Sequence, residues 1–143
     1  MCSVLAACRS LPPLAAVDLS EAGWHLREGQ ALWRSRGTAP PIAGELLLAT
    51  NPDGRTWVQF SKTPIPFLTA QTTATNWQID FAFQKRSFRG SGQPPPRLLW
   101  LHLARVLNGA VPPRPLRFDP SKEGGARLEN TASGETVTVY LAP

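Results

Sequence analysis

Cysteine, histidine and long apolar runs are scarce in this 143-residue chain, and each shortage excludes a class of protein. The two cysteines, Cys2 and Cys8, both lie at the very start, so they can build neither a disulfide framework nor a zinc site. The two histidines, His25 and His102, are far apart, whereas a metal site takes three or four ligands. No apolar run approaches the ~20 residues of a transmembrane helix. We therefore expect no resident metal, no cofactor and no membrane-spanning segment.

Catalytic motifs are equally scarce. The chain contains no HExxH, no paired CxxC and no phosphate-binding loop, and Gly90-Ser91-Gly92 matches neither a nucleophile elbow nor a dinucleotide fingerprint. The carboxylates Glu45, Asp53 and Asp80 are separated in sequence and would form a glycosidase-like pair only by meeting in space. Because none of the usual groupings is present, we expect a protein that is not an enzyme.

The charge is basic but dispersed. Fifteen Lys and Arg residues oppose ten Asp and Glu residues, for a net charge of +5. Such a balance favours nucleic acid or an anionic membrane as a partner. The tightest cationic group, Lys85, Arg86 and Arg89, is small, whereas nucleic-acid footprints cluster on one face or helix. We expect no nucleic-acid partner.

The first residues resemble the lipobox of bacterial lipoproteins, carried by Leu5-Ala6-Ala7-Cys8. The resemblance implies a diacylglyceryl group on Cys8, cleavage before it, and a position in the bacterial cell envelope, at the outer membrane facing the periplasm. Only seven residues precede Cys8, without Lys or Arg, whereas a signal peptide has a basic region and a longer apolar one. We therefore expect a translation start farther upstream, or a trimmed chain. Residues 1–22 are predicted to be a truncated signal and a Pro/Ala-rich tether.

Residues 23–143 are predicted to form one β-rich domain. Fifteen prolines limit regular structure to short elements. Residues 46–61 indicate a hairpin around Asn51-Pro52-Asp53-Gly54, and 76–83 alternate apolar and polar residues as a strand does. The apolar stripe that follows Pro94-Pro95-Pro96 predicts one late helix, and 126–141 predict a last hairpin. The expected fold is mostly β (α+β), a curled antiparallel sheet or half-barrel of about six to seven strands with this helix packed on it.

Two groups of apolar residues are candidates for a binding site. A curled sheet with an apolar concave face could hold an acyl chain between tryptophans, and core packing is the simpler interpretation. The candidate groove residues are Trp33, Trp57, Trp77 and Trp100. The proline-restricted segment Pro64–Leu68 is predicted to be a loop whose Ile65, Phe67 and Leu68 form a lipid-binding rim, or else to close the core.

In the order of these elements the domain resembles the lipoprotein-localisation superfamily, whose members carry lipoproteins across the periplasm or receive them at the outer membrane. The resemblance implies an unclosed barrel lidded by helices, with lipid or lipoprotein acyl chains as partners. The receptor's protruding Gly-Pro-Leu-type loop is absent, and Pro64–Leu68 is its nearest analogue. The segments 58–64 and 128–135 are similar to those of uncharacterised bacterial lipoproteins. Two functions follow as hypotheses: a lipid-binding module with an open groove, or a structural or interaction lipoprotein with a filled core. The oligomeric state is open.

Overall fold

The computed structural model describes residues 11–62, 65–120 and 125–143. They form a single antiparallel sheet of nine strands and one helix, which confirms the predicted fold class. The helix, α1, spans Trp100–Leu107. The strands in chain order are β1 His25–Arg34, β2 Ile42–Thr50, β3 Thr56–Lys62, β4 Ile65–Thr72, β5 Asn76–Phe81, β6 Arg86–Ser91, β7 Leu116–Pro120, β8 Ala126–Asn130 and β9 Thr136–Leu141.

The expected count of six to seven strands was too low, chiefly because β6 was missed. Its sequence, Arg-Ser-Phe-Arg-Gly-Ser, has a single large apolar residue and therefore no clear alternation. Backbone pairing with β5 along its whole length makes it a strand. The ladder of inter-strand hydrogen bonds, which does not depend on side-chain polarity, overrides the weak local signal.

The order of strands across the sheet is β6-β5-β4-β3-β2-β1-β9-β8-β7, so β6 and β7 are its edges. The chain passes from one edge to the other through α1, which packs against β2, β3, β4 and β5. Alternate residues of these strands point to α1, and their side chains form the buried core together with the helix. We call this side of the sheet the concave face and the other side the convex face.

The helix is short but almost wholly buried. Its residues from Trp100 to Ala104 are all buried, and only Arg105 and Leu107 are partly exposed. The helix begins at Trp100 rather than directly after Pro96, because the residues between them form turns. No helix among the described residues is long and apolar enough to cross a membrane.

Residues 11–24, of which 11–22 belong to the predicted tether, lie along the convex face. The Leu14 backbone N–H donates to Gln78 Oε1 at 2.8 Å, and the Arg89 guanidinium donates to the Leu11 carbonyl. At its other end the Arg55 guanidinium lies 4.9 Å from the Trp24 ring centroid and pairs with Glu21. Gln78, which strand alternation assigns to a solvent-facing side, is consequently buried.

Candidate functional site

The concave face has two parts. One lies beneath the helix α1, and the other lies beyond the start of that helix. Beneath α1 the space is filled by the protein's own side chains. Trp100 stacks on Phe60 with ring centroids 5.0 Å apart, and these two residues are 1% and 0% exposed. We call this part the covered core. Its aromatic rings are in contact with one another and leave no gap between them.

The second part lies past the start of the helix and is open. A cavity of about 390 Å³ remains there, within the ~300–1,000 Å³ typical of small-molecule sites. We call it the mouth. Its lining is mainly apolar and consists of Trp33, Ser35, Ile42, Phe67, Phe81, Phe83 and Gln84.

The curl of the sheet builds the mouth. Trp33 on β1 and Phe81 on β5 belong to strands separated by three others, yet their rings lie 6.5 Å apart and nearly parallel. Phe67 stacks on Phe60 at 5.5 Å on one side and on Phe83 at 5.1 Å on the other. The aromatic stack therefore runs without interruption from the covered core to the surface.

Exposure rises along this stack. Phe60 is fully buried, Phe67 is partly buried, and Phe83 is 66% exposed. Phe83 lies beyond the end of β5, in the turn to β6. An aromatic side chain this exposed, continuous with a buried apolar row, is a feature of binding surfaces.

One carboxyl group lies beside the mouth. The Trp33 Nε1–H donates to Glu135 Oε2 at 3.0 Å, across 102 residues of sequence. Burial raises the pKa of Glu135, and the hydrogen bond from Trp33 lowers it by less. The contact fixes the orientation of the Trp33 indole, which forms the wall of the mouth nearest β9.

Trp100 carries an unsatisfied donor at the inner side of this wall. Its ring meets Trp33 edge-on at 5.8 Å. The Trp100 indole N–H is buried and has no hydrogen-bond acceptor within the described part of the chain. Leaving such a group unpaired costs about 1–3 kcal/mol of folding free energy. The apolar packing of the Trp100 ring must therefore offset that cost.

The predicted rim residues do not form a loop. Ile65, Phe67 and Leu68 lie in the first half of β4, next to a register shift between Phe60 and Ser61 of β3. Ile65 is 51% exposed and Phe67 lines the mouth, whereas Leu68 is 1% exposed and belongs to the core. The correction for Leu68 follows from its pairing with Phe60 on the concave face. Pro64 lies outside the described residues.

The four candidate groove tryptophans are not brought together as one site. Trp33 lines the mouth, Trp100 lies in the covered core beside it, and Trp77 is buried farther along β5. Trp57 alternates with the core residues Thr56 and Val58, so it lies on the convex face. Cys8 lies outside the described residues, and its lipidation stays a prediction.

Sequence reasoning missed several mouth residues. Phe81 and Phe83 were included only in the alternating strand pattern of residues 76–83, and Ile42 and Glu135 were not singled out at all. Phe83 instead lies past the strand end, where alternation no longer predicts direction. Glu135 gave no signal, because its contact with Trp33 exists only once β1 and β9 are paired.

A cavity of similar size, about 420 Å³, lies on the convex face across β1, β9 and β8. Its lining mixes both charge signs with threonines, as in Arg34, Arg127, Glu129, Thr136 and Thr138. Such a lining is less apolar than that of the mouth, and ligand sites are lined mainly by apolar side chains. The mouth is therefore the better candidate.

His102 is buried on α1, where its Nε2 lies 3.3 Å from the Pro95 carbonyl, and burial lowers its pKa. In the ranges that the structure describes, no three His, Cys, Asp or Glu residues are grouped to hold a metal ion.

The fold and the mouth define the class of this protein: an unclosed antiparallel sheet, covered by one helix, with an aromatic pocket beyond the helix. No protein-family model matches the chain, and no curated protein matches it.

Proposed function

We propose that the domain binds one acyl chain, or a similarly slender apolar group, in the mouth. The observation that carries this proposal is the unbroken aromatic row from buried Phe60 through Phe67 to exposed Phe83, beside an open cavity. An apolar chain in contact with this row would cover side chains that now meet water, which is favourable at ~25 cal/mol per Å².

The shape of the site limits what it can accept. The covered core leaves no space beneath α1, so a ligand would enter only as far as Trp33 and Phe60. The polar groups at the mouth are Ser35 and Gln84, with Glu135 held by Trp33. This combination suits the end of a hydrocarbon chain better than a sugar or a nucleotide, which require several converging hydrogen-bond partners.

A displacement assay tests the proposal. The neutral fluorescent probe N-phenyl-1-naphthylamine should bind the chain and be displaced by a monoacylglycerol. Phe83→Ala should weaken binding of both the probe and the monoacylglycerol, because it removes the outer wall of the mouth while leaving the core intact. Tyr140→Ala, which removes another exposed aromatic ring, should change neither. Equal probe binding by both variants would contradict the site.

The second function, a structural or interaction lipoprotein, is favoured by a different observation. The covered core is complete without a ligand, with Phe60, Leu99 and Trp100 at 0–1% exposure. Native mass spectrometry of the purified chain separates the two. A co-purified acyl species that is absent from the Phe83→Ala variant supports binding in the mouth. A chain that is purified without ligand and does not bind monoacylglycerol supports the structural function.

Anchoring by a lipid on Cys8, and with it a place in the bacterial envelope, is part of the proposal and depends on residues 5–8 alone. One acyl chain anchors only marginally, whereas two or more hold a protein firmly. With the complete upstream reading frame, Cys8→Ser should move the protein from the membrane to the soluble fraction. Unchanged membrane retention would count against the anchor.

A further inference from the structure

The mouth is surrounded by exposed apolar and cationic side chains. Ile65 is 51% exposed and Phe83 is 66% exposed. Lys62, Lys85 and Arg86 are exposed as well. All five lie at one end of the sheet, where β3 ends, β4 begins, β5 ends and β6 begins.

The strand register determines which of these residues are neighbours on adjacent strands. Lys62 on β3 pairs directly with Ile65 on β4. Arg86 on β6 pairs with Phe81 on β5, so its side chain starts on the same face as the mouth. The exposed Ile65 therefore has one cation beside it, and a second cation lies beside the mouth residue Phe81.

The turn between β5 and β6 presents Phe83 and Lys85 together. It is closed by a hydrogen bond from the Lys85 N–H to the Ala82 carbonyl at 3.4 Å, and the Ala82 N–H donates to the Phe67 carbonyl at 3.0 Å. Lys85 has φ of 48°, a left-handed conformation that is uncommon for a residue other than glycine. The turn thus carries a long cationic side chain where a glycine would cost less strain.

In the described part of the chain, this end of the sheet carries three exposed cations. Among the described residues, the side chains of Lys62, Lys85 and Arg86 have no hydrogen-bond or ion-pair partner. Two of the nearby acids are directed elsewhere, and a third, Glu45, lies on β2 opposite Ser61, the neighbour of Lys62. Glu135 is partly buried against Trp33, and Asp80 accepts hydrogen bonds from Gln78 and Ser87 on the convex face.

We propose that this end of the sheet docks onto an anionic membrane surface, with Phe83 and Ile65 inserted among the lipids and Lys62, Lys85 and Arg86 on the headgroups. The inference deepens the proposed function and rests on it, because it names the source of the acyl chain that enters the mouth. Each cation near an anionic surface strengthens binding about fivefold, and exposed aromatic side chains suit the interface.

A membrane fits the surface better than nucleic acid does, because the surface combines two exposed apolar side chains with three exposed cations. The predicted anchor is compatible with this orientation. Leu11 is bonded to Arg89 of β6, three residues from Arg86 along the strand. The three residues from Cys8 to Leu11 span at most about 11 Å, so an anchor at Cys8 would hold this edge of the sheet near the bilayer.

Vesicle co-sedimentation tests the proposal on the full chain carrying Cys8→Ser, so that no acyl anchor contributes. The chain should bind vesicles of phosphatidylcholine mixed with phosphatidylglycerol and bind poorly to phosphatidylcholine alone. The triple variant Lys62→Gln, Lys85→Gln, Arg86→Gln should lose up to about 100-fold in partitioning, from about fivefold per charge. Phe83→Ser with Ile65→Ser should also lose binding.

The matched control is Arg27→Gln, Arg117→Gln, Arg127→Gln, which removes the same charge from exposed positions away from the mouth. It should retain most of the binding. Equal losses in the two triple variants would overturn the proposal, since attraction would then depend on net charge alone. Full binding by the Phe83→Ser, Ile65→Ser variant would overturn it as well.

The outcomes distinguish failure of the acyl site from failure of the docking surface. In the absence of vesicles, the cation variant should still bind the neutral probe N-phenyl-1-naphthylamine as the parent chain does. A parent chain that binds anionic vesicles through these five residues but never binds the probe overturns the acyl site and leaves the docking surface supported. A chain that binds the probe but no vesicles overturns the docking surface alone.

Discussion

The covered core and the mouth are two ends of one concave face, built from the same kinds of residue. Phe60 and Trp100 stack under α1 and are almost completely buried, whereas Phe81 and Phe83 lie past the helix and are partly or largely exposed. Both ends are formed by aromatic side chains, so residue type alone does not distinguish them. The position of one short helix, Trp100–Leu107, decides which aromatic side chains are core and which are available to a ligand.

This comparison explains how a small domain can combine stability with an open apolar site. The side chains beneath α1 are in contact and provide the cooperative core. The mouth is attached to that core through Phe67, which stacks on both Phe60 and Phe83. The site is thus held by the core without being needed to complete it.

The largest expected difference between the two ends concerns stability. Phe60→Ala or Trp100→Ala should lower the free energy of unfolding by about 3–5 kcal/mol, because each empties a fully packed position. Phe83→Ala should cost less than about 1.5 kcal/mol, the value of a ring contact. Urea unfolding followed by circular dichroism measures both. Comparable losses would show that the mouth is part of the core.

A smaller loss of stability is expected at Gly44, whose backbone lies against the Phe60 ring. A Cβ at Gly44 would lie 2.6 Å from the Phe60 ring and 2.6 Å from the Ser61 carbonyl, so Gly44→Ala should cost about 1–3 kcal/mol. Gly37→Ala is the matched control, because nothing lies within 4 Å of its Cβ position. Its unfolding midpoint should stay within error of the parent chain. A neutral Gly44→Ala would show that Phe60 is free to move, and that the covered core is looser than its packing indicates.

The convex face allows a third test, since residues 11–24 contact part of it, at β5, β6 and Arg55. Gln78→Ala should cost about 0.5–1.5 kcal/mol, because it leaves the Leu14 N–H without its acceptor. Gln59→Ala, on the same face but partly exposed, should be nearly neutral. Chemical denaturation of both variants checks this. A silent Gln78→Ala would mean that the segment adds no stability.

The smallest expected effect is on the pH dependence at the mouth. Burial raises the pKa of Glu135, so the folded state favours the protonated acid. Its contribution to stability is therefore fully present below the pKa of about 4.3 expected in the unfolded chain. That contribution is lost as the pH rises from there through the raised pKa of the folded state.

Glu135→Gln removes this titration while keeping an acceptor for Trp33 Nε1–H. The variant should melt slightly above the parent chain at neutral pH, and the difference should vanish in acid. Thermal melts from acid to neutral pH measure it. A variant that is less stable at neutral pH would indicate that the charged carboxylate supports Trp33.

Much of the fold could be predicted from the sequence because strands and hairpins are local. The turn at Asn51-Pro52-Asp53-Gly54, with Gly54 at φ of 95°, joins two strands as expected, and the last hairpin forms around Gly134. The apolar stripe after the prolines is indeed the helix. These features follow from residue periodicity and turn chemistry, which operate within a few residues.

The candidate site could be predicted only in part. Trp33 and Phe67 were identified from sequence as apolar residues that could contact a ligand, and the structure places both at the mouth. Trp57 shows the limit, because alternation assigns residues to two faces but does not identify which face the helix covers. Leu68 shows it again, since the register shift beside Phe60 turned an expected loop into a paired strand.

The sequence by itself determined a small β-rich chain with one amphipathic helix, two widely separated histidines, two cysteines at its start, and a basic but dispersed charge. Only the tertiary structure decided that Trp33 and Phe81 meet, that Glu135 bonds to Trp33, and that Phe83 and Lys85 share one exposed turn. The physical reason is that periodicity specifies which side of a strand a residue occupies. The curl of the nine-stranded sheet and the length of α1, which arise from packing across the whole chain, specify what that side encounters.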